Sequence, residues 1–538
     1  MASLEQAAVP ENEPVVAVPV AAVAVAGLAE GGVVGEVVAE VAYPTAEDVA
    51  PEGQGEVVVE VVPEHGQLLA GGEHDTMVGV HLSAPPAAEG DTARAPVDVV
   101  VVSDVSGSMR GDKLSLLKET TNLLLKELSK QDRVGLVTFD TDVDQPLRLS
   151  ANVHMDGAGK SVAESKVDQF RAGSATNLSG GLFAGVEQFT ADAAVSTRVK
   201  TLLLLTDGIA NHGVRDKAQL VRILSEMLRA RPDLSVHCFG YGSNHQSDLL
   251  RGISEAGSGS YYFLQNNDDI RSAFGDCLGG VLSVVAQNLV LEVQAQGDAR
   301  IRKVHHPSVE CLEEGRRYAI RFNDLYGEEE RDVLVSMHVP PATSAAAVGV
   351  GTMDEEEVPN KQPILECTLK YVNVVGGNFA QANATAEVDR PLQMAAPATP
   401  DPRIMLHRTR VQVADTLDGA RGKAERGDLS GARDMLSEMC VQVKSLELAT
   451  LLMADAGAAA EDMLTGFADD LEECQKDLAD TQSYQQAGRH KMSSYAAGHA
   501  MQRCMESATT HGSTKQRHNA YRTAAKKAKA SAFMSMFK

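Results

Sequence analysis

No tryptophan occurs among the 538 residues, and aromatic residues make up only 4%. A chain so poor in large rings is badly equipped to build base-stacking or carbohydrate-stacking platforms. Basic charge is scarce too: 49 Lys and Arg stand against 74 Asp and Glu, a formal net charge of -25. Phosphate backbones need a basic face, so this balance argues against a nucleic-acid binder. The shortage is sharpest at the start, where residues 1–93 hold 16 acidic residues and no Lys or Arg. The apolar run from Val15 to Ala29 therefore lacks the positive flank of a signal peptide. It contains Pro19 and is too short to span a bilayer, and no other run reaches that length. The seven Cys are odd in number and form no C-x-x-C pair. That disfavours a disulfide framework and a structural zinc site. It predicts a soluble protein in a reducing, intracellular setting, the cytoplasm.

What is present divides the chain. Residues 1–53 are rich in Ala, Val, Pro, Gly and Glu, and are expected to be a disordered acidic segment. From residue 54 to 96 the Val-rich stretches at 55–62 and 76–85 read as strands. Between 97 and 285 apolar strand runs alternate with helical spacing: VDVVVVSD at 97–104, helical periodicity over 112–130, RVGLVTFD at 133–140, then VKTLLLLTD at 199–207. Such alternation predicts an α/β, doubly wound parallel sheet flanked by helices. Residues 286–392 return to short strands, and these are expected to pair with 54–96 into a β-sandwich. The α/β unit would then be inserted beside it. The stretch 340–362 reads as a loose linker. Residues 400–510 have helical spacing, with breaks expected near Arg426-Gly427-Asp428 and Asp455–Gly457. Residues 511–538 form a basic tail, read as solvated, with contact to an acidic surface or membrane, or a weak intramolecular pair with the acidic N-terminus, as the alternatives.

Chemistry concentrates at the carboxyl ends of the strands, where such sheets place their ligands. The first strand of the α/β unit ends in Asp104-Val105-Ser106-Gly107-Ser108, and VKTLLLLTDG ends in Asp207-Gly208. Between them, GSATNLSGG sets Thr176 in a Gly-containing loop before a helix. Two carboxylates and three hydroxyls are the oxygen donors that a small hard cation takes. Gly107 is expected to adopt a turn barred to larger residues, so that Ser106 and Ser108 reach one point. Asp104 and Asp207 would balance one divalent ion and leave it able to accept a partner's Asp or Glu. Nothing near these loops supplies a general base or nucleophile, so no catalytic residue is assigned and the protein is read as a non-enzyme.

These motifs, in this order, resemble a von Willebrand factor type A (vWA) domain. Asp104, Ser106, Ser108, Thr176 and Asp207 match that family's metal-ion-dependent adhesion site (MIDAS) position by position. The resemblance implies Mg²⁺, or Mn²⁺ or Ca²⁺, as the cofactor and protein–protein binding as the role. RAPVDVVVVSDVSGSM, DCLGGVLSVVAQNLVLEV and LYGEEERDVLVSMHVP are further similar to plant and algal intracellular vWA proteins, many of which carry a RING finger and act as ubiquitin ligases. No Cys precedes residue 238 here, so ligase activity is not carried over, and an adaptor role in a ubiquitin pathway stays as an alternative. Inter-alpha-trypsin inhibitor heavy chains share the layout but are secreted. A metal-assisted hydrolase would need a base that these loops lack. The acidic cluster Asp140, Asp142 and Asp144 reads as a solvated turn.

Overall fold

The computed structural model describes residues 56–87, 94–150, 154–190, 197–208, 210–264, 267–342, 361–394, 398–451, 458–503 and 521–535. The segment expected to be disordered, 1–53, and most of the linker 340–362 lie outside the described residues. The second of the first two strands alternates buried with partly exposed positions as a half-buried strand should, while the first has no fully buried residue. They are β1 (Val58–Pro63) and β2 (His74–Ser83), paired antiparallel.

The α/β unit follows. Its strands are β3 (Val97–Asp104), β4 (Arg133–Phe139), β5 (Val143–Leu147), β6 (Val199–Thr206), β7 (Leu234–Tyr241) and β8 (Ser258–Leu264). Its helices are α1 (Asp112–Glu127), α2 (Gly157–Asp168), α3 (Leu178–Glu187), α4 (Lys217–Arg229), α5 (Ser247–Ala256) and α6 (Asn267–Val281). The sheet order is β5-β4-β3-β6-β7-β8. All eight residues of β3, β6 and β7 are buried, because helices cover both faces and leave no polar side. Each fully buried Leu of the Leu202–Leu205 run contributes about 1.5–3 kcal/mol relative to exposure. One strand departs from the all-parallel expectation. β5 runs antiparallel to β4 at the sheet edge, where Pro146 costs no ladder hydrogen bond.

The chain then builds β9 (Val284–Ala295), β10 (Arg300–His305), β11 (Val309–Glu313), β12 (Arg317–Tyr326), β13 (Glu330–Val339), β14 (Lys361–Asn373) and β15 (Asn378–Asp389). Two sheets result, β1-β2-β13-β10 and β11-β12-β9-β14-β15. Val78, Val80 and Leu82 of β2 share one core with Leu291, Val293, Ile320 and Leu369 of the second sheet. The α/β unit is inserted between β2 and β9, and β2 finds its partner β13 on the far side of that insertion.

Helices complete the chain: α7 (Pro402–Glu425), α8 (Leu429–Leu451), α9 (Ala458–Asp477), the short α10 (Thr481–Ser483), a π-helical turn (Tyr484–Gly488), α11 (Arg489–Met501) and α12 (Ala524–Ser535). Asp401 caps α7 by accepting from the Arg403 amide, with Pro402 in the first turn. α7 ends at the expected Arg426-Gly427-Asp428 break. Val413, Leu417, Leu436, Phe467 and Leu471 form the core of this region. It leans on both other parts of the molecule. Arg251 of α5 makes a two-pronged pair with Asp418 at 2.5 and 2.9 Å, and His407 Nε2 lies 3.2 Å from Asp332 of β13.

The basic tail corrects its expected role. Instead of standing in solvent, α12 packs along α6, and Lys526 is buried with its Nζ 3.2 Å from Asp276 Oδ2. Arg522 Nε donates to the other oxygen of Asp276 at 3.1 Å. The acidic surface that the tail meets is therefore the chain's own.

Candidate metal centre

Three loops meet at the carboxyl edge of the parallel sheet. β3 delivers Asp104 at its last position, fully buried. Its carboxylate accepts from the Ser106 amide at 2.8 Å and from Thr206 Oγ1 at 2.5 Å. The chain then makes a short 3₁₀ turn, Gly107–Met109, which brings Ser106 Oγ within 3.1 Å of Ser108 Oγ. Ser108 Oγ donates to Asp207 Oδ1 at 2.7 Å. Asp207 directly follows β6, the neighbour of β3, so the register of the two parallel strands sets the two carboxylates side by side.

Thr176 arrives from the loop before α3. Its amide donates to Asn211 Oδ1 at 2.8 Å, and its carbonyl accepts from the amides of Asn211 and His212 at 3.2 Å each. A methyl group placed at Gly208 would stand 3.3 Å from Thr176 Oγ1 and 3.5 Å from Asp104 Oδ2. The structure thus gathers Asp104, Ser106, Ser108, Thr176 and Asp207 at one place, with Asp104, Ser106, Thr176 and Asp207 almost wholly buried. Burial pushes the Asp104 carboxyl above its ordinary value and the nearby Asp207 adds to the rise, against hydrogen bonds that lower it. A buried carboxylate held only by neutral donors is what an added cation would relieve. The donor set is all hard oxygen, two charged and three neutral, which fits Mg²⁺, Mn²⁺ or Ca²⁺ and not a soft metal. Among the described residues no group of three or more His, Cys, Asp or Glu is placed to hold a metal. The set here stays below that count because three of its donors are hydroxyls.

Gly107 has a different reason from the one its sequence suggests. It is not among the residues with positive φ; instead a side chain there would approach the Ser174 carbonyl to 3.3 Å, and the Gly107 amide donates to that carbonyl at 2.9 Å. The need is close approach of two loops. The acidic cluster also gains a local task. Asp140 accepts from the Ser174 amide through its carboxylate at 3.3 Å, and its carbonyl accepts from the Asn177 amide at 2.7 Å, so it braces the Thr176 loop.

Sequence reasoning missed four neighbours: Thr206, Asn211, Asp140 and Lys113. The Lys113 ammonium, from the first turn of α1, pairs with Asp207 Oδ2. Thr206 alone had a signal, since it adjoins Asp207 in the strand that carries it.

Residues 97–263 match the family model described as von Willebrand factor type A domain. Together with the sheet order and the loop geometry above, this part of the chain is such a domain. About half of the chain is similar to the E3 ubiquitin-protein ligase WAV3 of Arabidopsis thaliana, 29% identical over 310 residues, covering 54% of this chain and 39% of the ligase. Inter-alpha-trypsin inhibitor heavy chain H1 of Homo sapiens is 30% identical over 203 residues, 37% of this chain and 21% of that protein. The chain thus spans well under half the length of either relative. Among solved structures, the von Willebrand factor type A protein from Catenulispora acidiphila gives a TM-score of 0.55 at 15% identity, covering 79% of this chain and 89% of that one. At that identity the likeness concerns the fold, and its coverage extends well past the vWA domain. Among the described residues no helix is long and apolar enough to cross a membrane.

Proposed function

We propose that this protein is a non-enzymatic interaction module whose vWA domain grips an acidic side chain of a protein partner through a divalent cation. Asp104, Ser106, Ser108, Thr176 and Asp207 would hold the ion, Mg²⁺ first among the hard cations. The ion supplies an electrophilic point for an incoming Asp or Glu carboxylate. The chain's own residues do the rest. Asp104 and Asp207 balance its charge, the three hydroxyls add neutral donors, and Asn211 and Asp140 fix the loop that carries Thr176. The observation that carries this reading is the unbroken contact from Ser106 Oγ through Ser108 Oγ to Asp207, with Thr176 and Asp104 both beside Gly208.

A ligand that binds only the folded chain stabilises it by mass action. Millimolar Mg²⁺ or Mn²⁺ should therefore raise the Tm of the full chain, and Asp104→Ala should abolish the rise. An unchanged Tm in the wild type refutes the ion; a rise that persists in the variant places the ion elsewhere.

The similarity to WAV3 favours one second reading, a role in a ubiquitin pathway. In that reading the vWA domain would act as an adaptor that holds a protein substrate. Autoubiquitination by the purified chain, with E1 and E2 supplied, would instead make it an enzyme.

A further inference from the structure

Asp104 and Asp207 are both buried, yet they are treated differently. Asp104 is met by neutral donors, the Ser106 amide and the Thr206 hydroxyl. Asp207 has in addition a full positive charge, the ammonium of Lys113. The two ends of that pair are unlike: the Lys113 side chain is 40% exposed, and that of Asp207 is 0% exposed. A carboxylate taken wholly out of water needs a countercharge, and a half-exposed lysine can leave without being stranded in the interior.

The backbone explains why this lysine reaches the site. Gly111 adopts φ 86 and ψ -132, a conformation that only glycine enters without strain. That turn starts α1 immediately after the 3₁₀ segment, and Lys113 becomes the second residue of the helix. From there its flexible stem lies over Asp207. Deleting or lengthening the Arg110-Gly111-Asp112 step would carry the amine away.

We infer that Lys113 is a tethered counter-cation that competes with the divalent ion for Asp207. This rests on the five-residue site proposed above. In the chain by itself the ammonium neutralises Asp207 and keeps the loop assembled. A dication using Asp207 cannot share it with the ammonium at contact distance, since like charges repel strongly at the edge of a protein. Binding therefore includes swinging Lys113 off the carboxylate. Two consequences follow for the site. Its ion affinity is lower than the donor set alone would give, so occupancy tracks the surrounding ion concentration. The displaced ammonium also stays at the rim, on the α1 side, where an acidic partner would meet it beside the metal.

The test is a Mn²⁺ titration of the full chain by calorimetry, comparing wild type, Lys113→Met, Lys113→Arg and Asp104→Ala. Lys113→Met should bind Mn²⁺ about tenfold more tightly, equivalent to about 1.4 kcal/mol. Its metal-free Tm should fall below that of the wild type. Lys113→Arg, which keeps the charge, should stay near wild-type affinity. Equal or weaker binding by Lys113→Met, or a gain in Lys113→Arg as large as that in Lys113→Met, overturns the competition and leaves the metal site standing. If neither the wild type nor Lys113→Met binds Mn²⁺, the site itself fails and the competition with it. Asp104→Ala should show no binding; binding there equal to wild type would also overturn the five-residue set.

Discussion

Two clusters of buried charge, one at the loop edge of the vWA sheet and one where the tail helix α12 docks, are built on different principles. At the junction of β12, β13, α6 and α12, the acids Asp276, Asp324 and Glu329 meet the bases Arg331, Arg503 and Lys526 in direct pairs. Arg503 also lies 4.1 Å above the Tyr326 ring, and Lys526 Nζ is 5.0 Å from the same ring. Burial pushes the Glu329 carboxyl up, but Arg331 and Arg503 more than offset it and hold it below its ordinary value. Burial likewise opposes the charge on Arg503, and Asp324 and Glu329 hold its pKa well above the ordinary value. At the loop edge of the sheet, two equally buried acids have one half-exposed lysine between them, and it pairs with Asp207 alone while Asp104 keeps only neutral donors. Matched buried charges lock elements together. Unmatched ones leave room for a ligand.

The contrast can be broken by mutation. The largest effect should come from Arg503→Ala, which strands Asp324 in the interior and leaves Glu329 with Arg331 alone. Removing one partner of a buried ion pair costs about 3–5 kcal/mol, so urea denaturation should show a loss of that size. A smaller loss, about 1.5–3 kcal/mol, is expected for Lys526→Met, because Arg522 still donates to Asp276. A loss below about 0.5 kcal/mol there would return α12 to the class of solvated tails. The smallest effect has the opposite sign. Asp104→Asn removes a buried charge that only neutral groups support, while the Thr206 hydroxyl can rotate to accept from the new amide. In chelator it should stabilise the chain by about 1 kcal/mol, as substitutions at functional sites often do. Destabilisation by Asp104→Asn would mean that the two clusters do not differ in kind.

The contrast also sorts what was legible in the sequence. Strands β3 and β6 were readable because burial on both faces writes itself as unbroken apolar runs. Asp104, Ser106 and Ser108 were readable because their spacing is local to one turn, and Asp207 because it ends the adjacent strand. Lys113 was not, since its role depends on the Gly111 turn aiming the first turn of α1, and a lysine on an amphipathic helix looks solvated. Asp140 was hidden for a similar reason: it braces Thr176 across two loops more than thirty positions apart. The docking of α12 was invisible because Asp276 sits in a helix, where periodicity does not tell a buried acid from an exposed one. β5 was missed because a five-residue edge strand containing Pro146 carries almost no strand signal.

The insertion of the vWA domain has a consequence for how the chain is made. Val80 of β2 pairs with Val333 of β13, about 250 positions downstream. During synthesis the β1–β2 hairpin emerges first and waits, its outer edge unpaired, while the whole inserted domain is translated. Pairings of such long range are slow to close and leave strand edges open to wrong partners. At ribosomal speeds that wait lasts on the order of 10 s or more. The hairpin must either be shielded by a chaperone or survive on its own marginal stability, so the newborn protein is most vulnerable to aggregation before its sandwich exists.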